Sequence, residues 1–203
     1  MALDLQLKQN ERVAVYIDGS NLFHASRQLG IDIDYERLRQ LFDKQCDLRR
    51  IYYYTAVGSS MEETPVLGLV SWLDYNGYHT VTKPMKISYD REKIKGNMDM
   101  ELAIDMLRDA HRGYVDRAFL ISGDGDFKSL VKELQHLGEK VTVISTIKTR
   151  PIMCADELIR QADLFIDLED IKSHIVREGG HARVRGYRRQ DDNKRDQSQS
   201  PGP

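Results

Sequence analysis

Residues 119–127, with the sequence FLISGDGDF, decide how the rest of the chain is interpreted. The apolar run at 118–121 predicts a short buried strand, and the Ser-Gly pair after it is a turn signal. Two aspartates follow, Asp124 and Asp126, and residues 127–137 then have the apolar spacing of a helix. The stretch therefore predicts a strand, an acidic turn and a helix. In an open α/β sheet, such a turn lies at the carboxyl edge, where ligands bind.

A single aspartate at such a turn has a simple structural explanation, because its side chain commonly caps the helix that follows. Capping explains either Asp124 or Asp126, but hardly both. A second turn of the same kind occurs near the start of the chain. There, residues 13–17 predict a strand, Asp18 follows it directly, and residues 22–29 predict a helix. Two strands of the predicted sheet thus end in aspartates.

The ends of parallel strands can lie side by side, so the carboxylates of these two turns are expected to converge. Close carboxylates repel each other unless they are protonated or bridged by a cation. A hard divalent ion such as Mg²⁺ suits such a site. Ser20 and Asn21 can cap the first helix, and Asn21 can also reach the same cleft as Asp18.

Length and composition indicate one globular core with a polar tail. The chain has 203 residues, is 40% hydrophobic and carries a net charge of -2, which predicts no overall attraction to nucleic acid. Residues 177–203 carry seven Lys/Arg against four Asp/Glu and almost no apolar side chains, so we expect a disordered, mildly basic tail. Two isolated cysteines exclude a zinc cluster or a disulfide framework. No apolar segment resembles a signal peptide or a membrane span, so we expect a cytoplasmic protein.

Strands and helices alternate along the chain, which predicts a parallel sheet covered by helices on both faces. The fold class is therefore α/β, a three-layer α/β/α sandwich with a central, mainly parallel sheet. We expect an N-terminal extension at 1–10, one domain at 11–176 and the tail at 177–203. Three consecutive tyrosines at 52–54 invite a base-stacking role, but a strand whose alternate residues face the core explains them better.

A further acidic position precedes the predicted helix at 100–112. Asp99 lies in its first turn, where the helix dipole favours a carboxylate. Asp105 is six residues further on, about 240° around a helix. The two side chains do not share a face, so we expect Asp99 to point at the site and Asp105 to tie the helix to neighbouring backbone.

Three segments together resemble a known family. Residues 15–22 (VYIDGSNL), 95–105 (KGNMDMELAID) and 120–127 (LISGDGDF) are similar, in order and spacing, to the motifs of NYN domains. These domains belong to the PIN-like nuclease superfamily, and the similarity is closest to its bacterial LabA-like branch. The resemblance covers roughly residues 11–168 and leaves out the tail.

The resemblance implies a metal-dependent endoribonuclease that cleaves RNA in an acidic cleft with bound Mg²⁺ or Mn²⁺. The expected substrate is single-stranded RNA. It assigns the metal-binding and catalytic roles to Asp18, Asp99, Asp124 and Asp126. It further places Asn21, Ser122 and Asp105 at or beside the bound cofactor; for Asp105, the helix geometry given above argues against a direct role. Partners other than RNA, including a second copy of the chain, stay open.

Two alternatives remain from the residues themselves. A phosphatase of the haloacid dehalogenase kind needs a second aspartate two positions after the first, and that position is Ser20. A non-catalytic RNA-binding or protein-interaction module is the other, since an intact acidic set does not prove turnover. Either RNA role needs cations near the acids, and the candidates are Lys86, Lys93 and Lys95. An ordinary solvated loop explains these lysines equally well.

Overall fold

The structure is a computed structural model that describes residues 5–58, 64–84 and 97–177. The described residues form six strands and seven helices in close alternation. The strands are β1 (Arg12–Asp18), β2 (Asp47–Val57), β3 (His79–Pro84), β4 (Arg117–Ile121), β5 (Lys140–Ser145) and β6 (Leu164–Asp167). The helices are α1 (Gly19–Leu29), α2 (Tyr35–Asp43), α3 (Thr64–Tyr75), α4 (Asp99–His111), α5 (Lys128–His136), α6 (Asp156–Gln161) and α7 (Leu168–Ile175).

The six strands form one sheet in the order β3-β2-β1-β4-β5-β6. Every neighbouring pair in this order is parallel. The chain builds outward from β1 to β3, returns through α4, and builds in the other direction from β4 to β6. The strand order therefore reverses between β1 and β4, and in open α/β sheets this reversal opens a crevice at the carboxyl ends of the two strands.

Helices cover both faces of the sheet, as the sequence predicts. On one face, apolar residues of β1 and β2 pack with α1, α2, α3 and α7, and Phe42 and Phe119 are fully buried there. On the other face, the core joins the sheet to α4, α5 and α6, with Leu102, Val131 and Leu158 inside. The three-layer α/β/α fold is thus confirmed, and the sheet is parallel throughout rather than mainly so.

Helix starts follow local capping rules. Asp34 Oδ1 accepts the backbone N–H groups of Glu36 and Arg37 at the start of α2. Asp167 caps α7 in the same way and also accepts the Thr146 hydroxyl, which fastens the segment after β5. At the end of α1, Gly30 has a φ of 65°, the left-handed conformation that glycine adopts without strain.

The three tyrosines of β2 belong to the core. Tyr53 faces the layer that contains α1, while Tyr52 and Tyr54 face the layer that contains α4, and each is less than a tenth exposed. Burial, followed by the hydrogen bond to Asp109, raises the pKa of Tyr52 to about 12, so its hydroxyl stays a donor. The packing explanation for these tyrosines is confirmed, and none of them is available to stack on a base.

Candidate functional site

The two acidic turns meet at the carboxyl edge, where the strand order reverses. β1 pairs with β4 in parallel register, Ile17 beside Ile121, so Asp18 and the Ser122–Asp124 turn leave the same edge on neighbouring strands. No other strand lies between β1 and β4 in the sheet. The site's position therefore follows from strand order, because the same two turns on distant strands would not have met.

Ser122 connects the two turns directly. Its hydroxyl donates to Asp18 Oδ2 at 3.2 Å, and its Oγ accepts the backbone N–H of Asp124, also at 3.2 Å. The side chain is 1% exposed. Ser122 is thus more than a turn residue, since it fixes the separation between one carboxylate and the backbone of another.

Asn21 makes a second connection between the same turns. Its Oδ1 accepts the backbone N–H of Gly123 at 3.0 Å. Asp18, not Ser20 or Asn21, is the N-cap of α1, and its Oδ1 accepts the Asn21 backbone N–H at 3.0 Å. The side-chain nitrogen of Asn21, Nδ2, has no hydrogen bond within the described residues, so it is free to donate to a ligand.

Gly123 has no room for a side chain. A Cβ atom at this position would overlap the carbonyl oxygen of Met153 and lie 2.6 Å from Ser145 Oγ. The Gly123 carbonyl also accepts the Ala155 N–H at 2.9 Å. The acidic turn after β4 is therefore held between α1 and the segment that precedes α6. Nothing in the local sequence pattern signalled this second support.

Three carboxylates gather at this edge. Asp99, Asp124 and Asp126 each offer one oxygen, and these oxygens all lie within 4.8 Å of one another. Asp99 comes from the first turn of α4, and the other two come from the short 3₁₀ turn that follows β4. Asp124 Oδ1 also accepts the backbone N–H of Asp126 at 3.0 Å. The capping explanation therefore holds for Asp124 without excluding a second role for its other oxygen.

Asp18, the fourth predicted ligand, is not among the three carboxylates that converge. Both of its oxygens are engaged, Oδ1 by the Asn21 backbone and Oδ2 by Ser122. Burial raises the pKa of Asp18 above its ordinary value, and the charge of Asp124 adds to this rise. The Asp18 carboxylate thus interacts with the charge of the cluster, and its hydrogen bonds connect the two turns.

The cluster is electrostatically uncompensated. Burial raises the pKa of Asp99, and the neighbouring charges of Asp18, Asp124 and Asp126 raise it further. Within the described part of the chain, no lysine or arginine forms a salt bridge with any of these four aspartates. Such a set of close, unpaired carboxylates is what a bound cation stabilises.

Asp105 lies outside this group, as the helical geometry predicts. Its Oδ2 accepts the hydroxyl of Tyr54 at 3.0 Å, and it forms a salt bridge with Arg108 on its own helix. It therefore ties α4 to the sheet, although through a tyrosine side chain rather than through backbone. The assignment of Asp105 to the cofactor has no support in this geometry.

Two charged side chains near the cluster were not singled out from the sequence. Lys128 follows the acidic turn, is exposed, and forms no salt bridge with a described residue. Glu157, on α6, places Oε1 2.9 Å from where a Cβ on Gly125 would stand. Neither residue belongs to a recognisable motif, so sequence reasoning missed both. Lys83, which the sequence groups with the predicted RNA-contact lysines, ends β3 and pairs with Glu101 on α4 at 2.7 Å. The predicted RNA contacts Lys86, Lys93 and Lys95 lie outside the described residues.

The donor set fits a hard divalent cation. All three convergent ligands are carboxylate oxygens, the type that Mg²⁺ and Mn²⁺ prefer, and no sulfur or imidazole contributes. Three protein oxygens also leave positions for water and for substrate oxygens in an octahedral shell. The residues present are therefore compatible with the metal that the fold implies.

Comparison with known proteins identifies the family. The NYN domain family matches residues 12–169, which includes both acidic turns and Asp99. The chain belongs to the NYN domain family. Low amplitude and bright protein LabA of Synechococcus elongatus is 32% identical over 171 residues, covering 81% of this chain and 87% of LabA. The resemblance to NYN domains and to the LabA-like branch is confirmed.

A solved structure supports the fold independently. A protein of unknown function from Vibrio parahaemolyticus superimposes with a TM-score of 0.66 at 24% identity, covering 85% of this chain and all of that chain. At this identity the similarity concerns the fold alone. Among the residues that the structure describes, no helix has both the length and the apolar character needed to cross a bilayer.

Proposed function

We propose that this NYN domain is a metal-dependent endoribonuclease whose active site is the acidic cluster at the β1–β4 edge. The observation that carries the proposal is the convergence of Asp99, Asp124 and Asp126 within 4.8 Å, where the strand order reverses and no cation of the described residues pairs with them. NYN domains are generally regarded as ribonucleases, so family and geometry favour the same chemistry.

Asp99, Asp124 and Asp126 would hold Mg²⁺ or Mn²⁺ with one oxygen each. When bound, such an ion lowers the pKa of a water molecule and neutralises charge on the phosphate. Asp18 connects the two turns through Ser122, and its charge adds to the negative potential at the cluster. The Asn21 amide nitrogen is free to donate to a phosphate oxygen. The substrate bond broken is the P–O bond of the RNA backbone.

Hydrolysis by water, without a covalent enzyme intermediate, fits the side chains at hand. Ser122 is the serine within the cluster, and its hydroxyl is committed to Asp18 rather than to a histidine base. It is also nearly inaccessible, at 1% exposed. A serine nucleophile needs an open approach as well as a base within hydrogen-bond reach, and Ser122 lacks the open approach.

Single-stranded RNA is the proposed substrate. A cleft at a sheet edge reaches an isolated phosphate in a flexible strand more easily than one in a stiff duplex. The cluster is strongly acidic, so RNA must be held by cations around it. Lys128 is one such cation within the described residues, and Lys86, Lys93 and Lys95 remain proposed contacts.

The test is cleavage of a mixed RNA ladder, with single-stranded and duplex substrates of equal sequence. We expect internal cleavage of the single strands with Mn²⁺ or Mg²⁺ and none with chelator. Asp124→Asn should remove cleavage, while Asp156→Asn, on the exposed first turn of α6, should behave as wild type. RNA binding without cleavage under every metal condition would favour a non-catalytic binding module. Release of phosphate from small phosphomonoesters instead would favour a phosphatase.

A further inference from the structure

A polar cavity lies at the amino edge of the sheet, opposite the acidic cluster. Its volume is about 540 Å³, which is within the range of small-molecule sites. Three segments line it: the residues that lead into β1, the α4–β4 connection and the α5–β5 connection. The cavity shares no residue with the acidic cluster, so it falls outside the proposed nuclease function.

Two ion pairs form part of the wall, and both are complete. Arg12 binds Asp116 through two hydrogen bonds of 3.0 and 2.6 Å, and its remaining nitrogen donates to the Gly113 carbonyl at 2.6 Å. Glu11 pairs with Arg117 at 2.8 Å, and both side chains are only 9% exposed. These four charges therefore satisfy one another and have little to offer a ligand.

Glu139 is the exception in this wall. It is 8% exposed, its carboxylate has no hydrogen-bond partner within the described residues, and Oε2 is fully buried. Burial, together with the nearby charge of Asp116, raises its pKa to about 7. A buried polar group left without a hydrogen bond destabilises the fold, and a charged one does so more strongly. Glu139 thus lines the cavity as an acceptor without a donor.

The backbone favours a positive group at the same place. Helices α4 and α5 both end at this edge, and Ala110 and Leu137 bring their last turns into the cavity wall. The carboxyl end of a helix carries partial negative charge and stabilises a cation. Two such ends and the Glu139 carboxylate therefore act together.

Two lysines of the lining carry the opposite charge. Lys8 and Lys140 are exposed, whereas Glu139 is buried, and neither ammonium group forms a salt bridge with a described residue. A buried carboxylate and two exposed cations define an orientation for a ligand. A molecule with a cation alone would leave the lysines unused, and one with an anion alone would meet Glu139.

We propose that this cavity binds a small zwitterion whose protonated amino or guanidino group pairs with Glu139 while its anionic group pairs with Lys8 and Lys140. The recognition is one of charge spacing, so free amino acids of the basic type fit it.

The experiment titrates the full chain with three probes and follows backbone amides by NMR and affinity by calorimetry. The probes are L-arginine, agmatine, which lacks the carboxylate, and glutarate, which lacks the cation. We expect L-arginine to bind at roughly millimolar concentration or below and to shift the amides of Gly113, Gly138 and Lys140. Agmatine should bind about tenfold more weakly and glutarate not measurably, because each loses one of two charge-assisted contacts.

Variants locate the contacts. Glu139→Gln should weaken L-arginine binding at least about tenfold, whereas Glu133→Gln, on the exposed side of α5, should leave it unchanged. Lys140→Ala should weaken L-arginine but not agmatine. Circular dichroism and the melting temperature show whether each variant is folded. If Glu139→Gln does not fold, Lys140→Ala still tests the proposal.

Three results would overturn the proposal. L-arginine could fail to bind at all, its affinity could be unaffected by Glu139→Gln, or its shifts could map to the Asp99–Asp124 edge. A peptide with an internal arginine and blocked ends, binding more tightly than L-arginine, would also overturn it in favour of a protein partner. The RNA assay is independent of all of these, so either proposal can fail alone.

Discussion

The two edges of this sheet use carboxylates in opposite ways. At the amino edge, Glu11 and Asp116 each have an arginine partner at hydrogen-bond distance. At the carboxyl edge, Asp99, Asp124 and Asp126 converge, and no lysine or arginine among the described residues forms a salt bridge with them. Carboxylates in salt bridges fasten the loops between strands and helices and are not available to a ligand. Unpaired carboxylates can still bind a cation. The comparison shows that the proposed site differs from the other acidic residues in lacking cationic partners among the described residues, not in being acidic as such.

The effect on pKa follows the same division. Burial acts to raise the pKa of Glu11, but the hydrogen bonds from Arg117 and the Lys8 backbone and nearby positive charges outweigh it, so its pKa is lowered. At Asp99, burial and the neighbouring aspartates act together, and the pKa is raised. Glu139 is the amino-edge residue that behaves like the carboxyl edge, with a pKa raised to about 7.

The largest expected effect comes from Asp99→Asn. It removes one of three ligands, so RNA cleavage should fall at least about 100-fold, beyond the range typical of groups that only support a ligand. Stability without metal should stay equal or increase, because a repelling charge is lost. Single-turnover cleavage and thermal unfolding in chelator measure the two effects. Asp105→Asn on the same helix is the matched control and should retain most activity. Equal losses for both variants would contradict the proposed division of roles on α4.

The reverse pattern is expected for Glu11→Gln at the amino edge. It leaves the Arg117 guanidinium without its anion, and breaking a buried pair in this way costs about 3 kcal/mol. Cleavage at a temperature where the variant is folded should match wild type, since the residue is remote from the acidic cluster. Urea unfolding at pH 7 measures the loss. A stability change below about 0.5 kcal/mol would show that the pair behaves as an exposed one.

An intermediate, pH-dependent effect is expected for Glu139→Gln. The ordinary pKa of 4.5 applies when the chain is unfolded, and the folded value is about 7. Between these values the unfolded chain has lost the proton that the folded chain retains, so the free energy of unfolding falls as pH rises. The penalty is complete above pH 7 and vanishes below 4.5, with an upper limit of about 3 kcal/mol. The free energy of unfolding of the variant should therefore exceed that of wild type by more at pH 8 than at pH 4. Glu133→Gln serves as control, and parallel pH profiles for wild type and Glu139→Gln would contradict the assignment.

The smallest effect is expected for Ser122→Ala. The change removes the bridge between Asp18 and the Asp124 backbone but leaves all three convergent oxygens in place. Supporting groups of this kind contribute about 10- to 100-fold in metal affinity, and we expect the lower end. Binding of Mn²⁺ followed by calorimetry measures it. Ser145→Ala, which loses the bond to the Met153 carbonyl but none to Asp18 or Asp124, should leave the affinity unchanged.

Most of the fold could be predicted because its signals are local. The strand predicted at 118–121 is observed as Arg117–Ile121, and the helix predicted at 100–112 is observed as Asp99–His111, so the bounds differ by one residue at an end. Capping accounts for a larger difference, since α1 begins at Gly19, directly after its cap Asp18, rather than at Leu22. Spacing within α4 also separated Asp99 from Asp105 correctly, because helical rotation is fixed by the backbone.

By itself, the sequence determined the alternation of strands and helices, the two acidic turns, and the family to which their motifs belong. The tertiary structure alone decided which carboxylates converge. Ser122 meets Asp18 across 104 positions, and Tyr54 holds Asp105 across 51. Arg117 reaches Glu11 but nothing reaches Glu139 within the described residues, although all three precede or begin strands at one edge. Periodicity reports only the face on which a residue lies. Whether a charge finds a partner depends on strand order and on side chains distant in sequence.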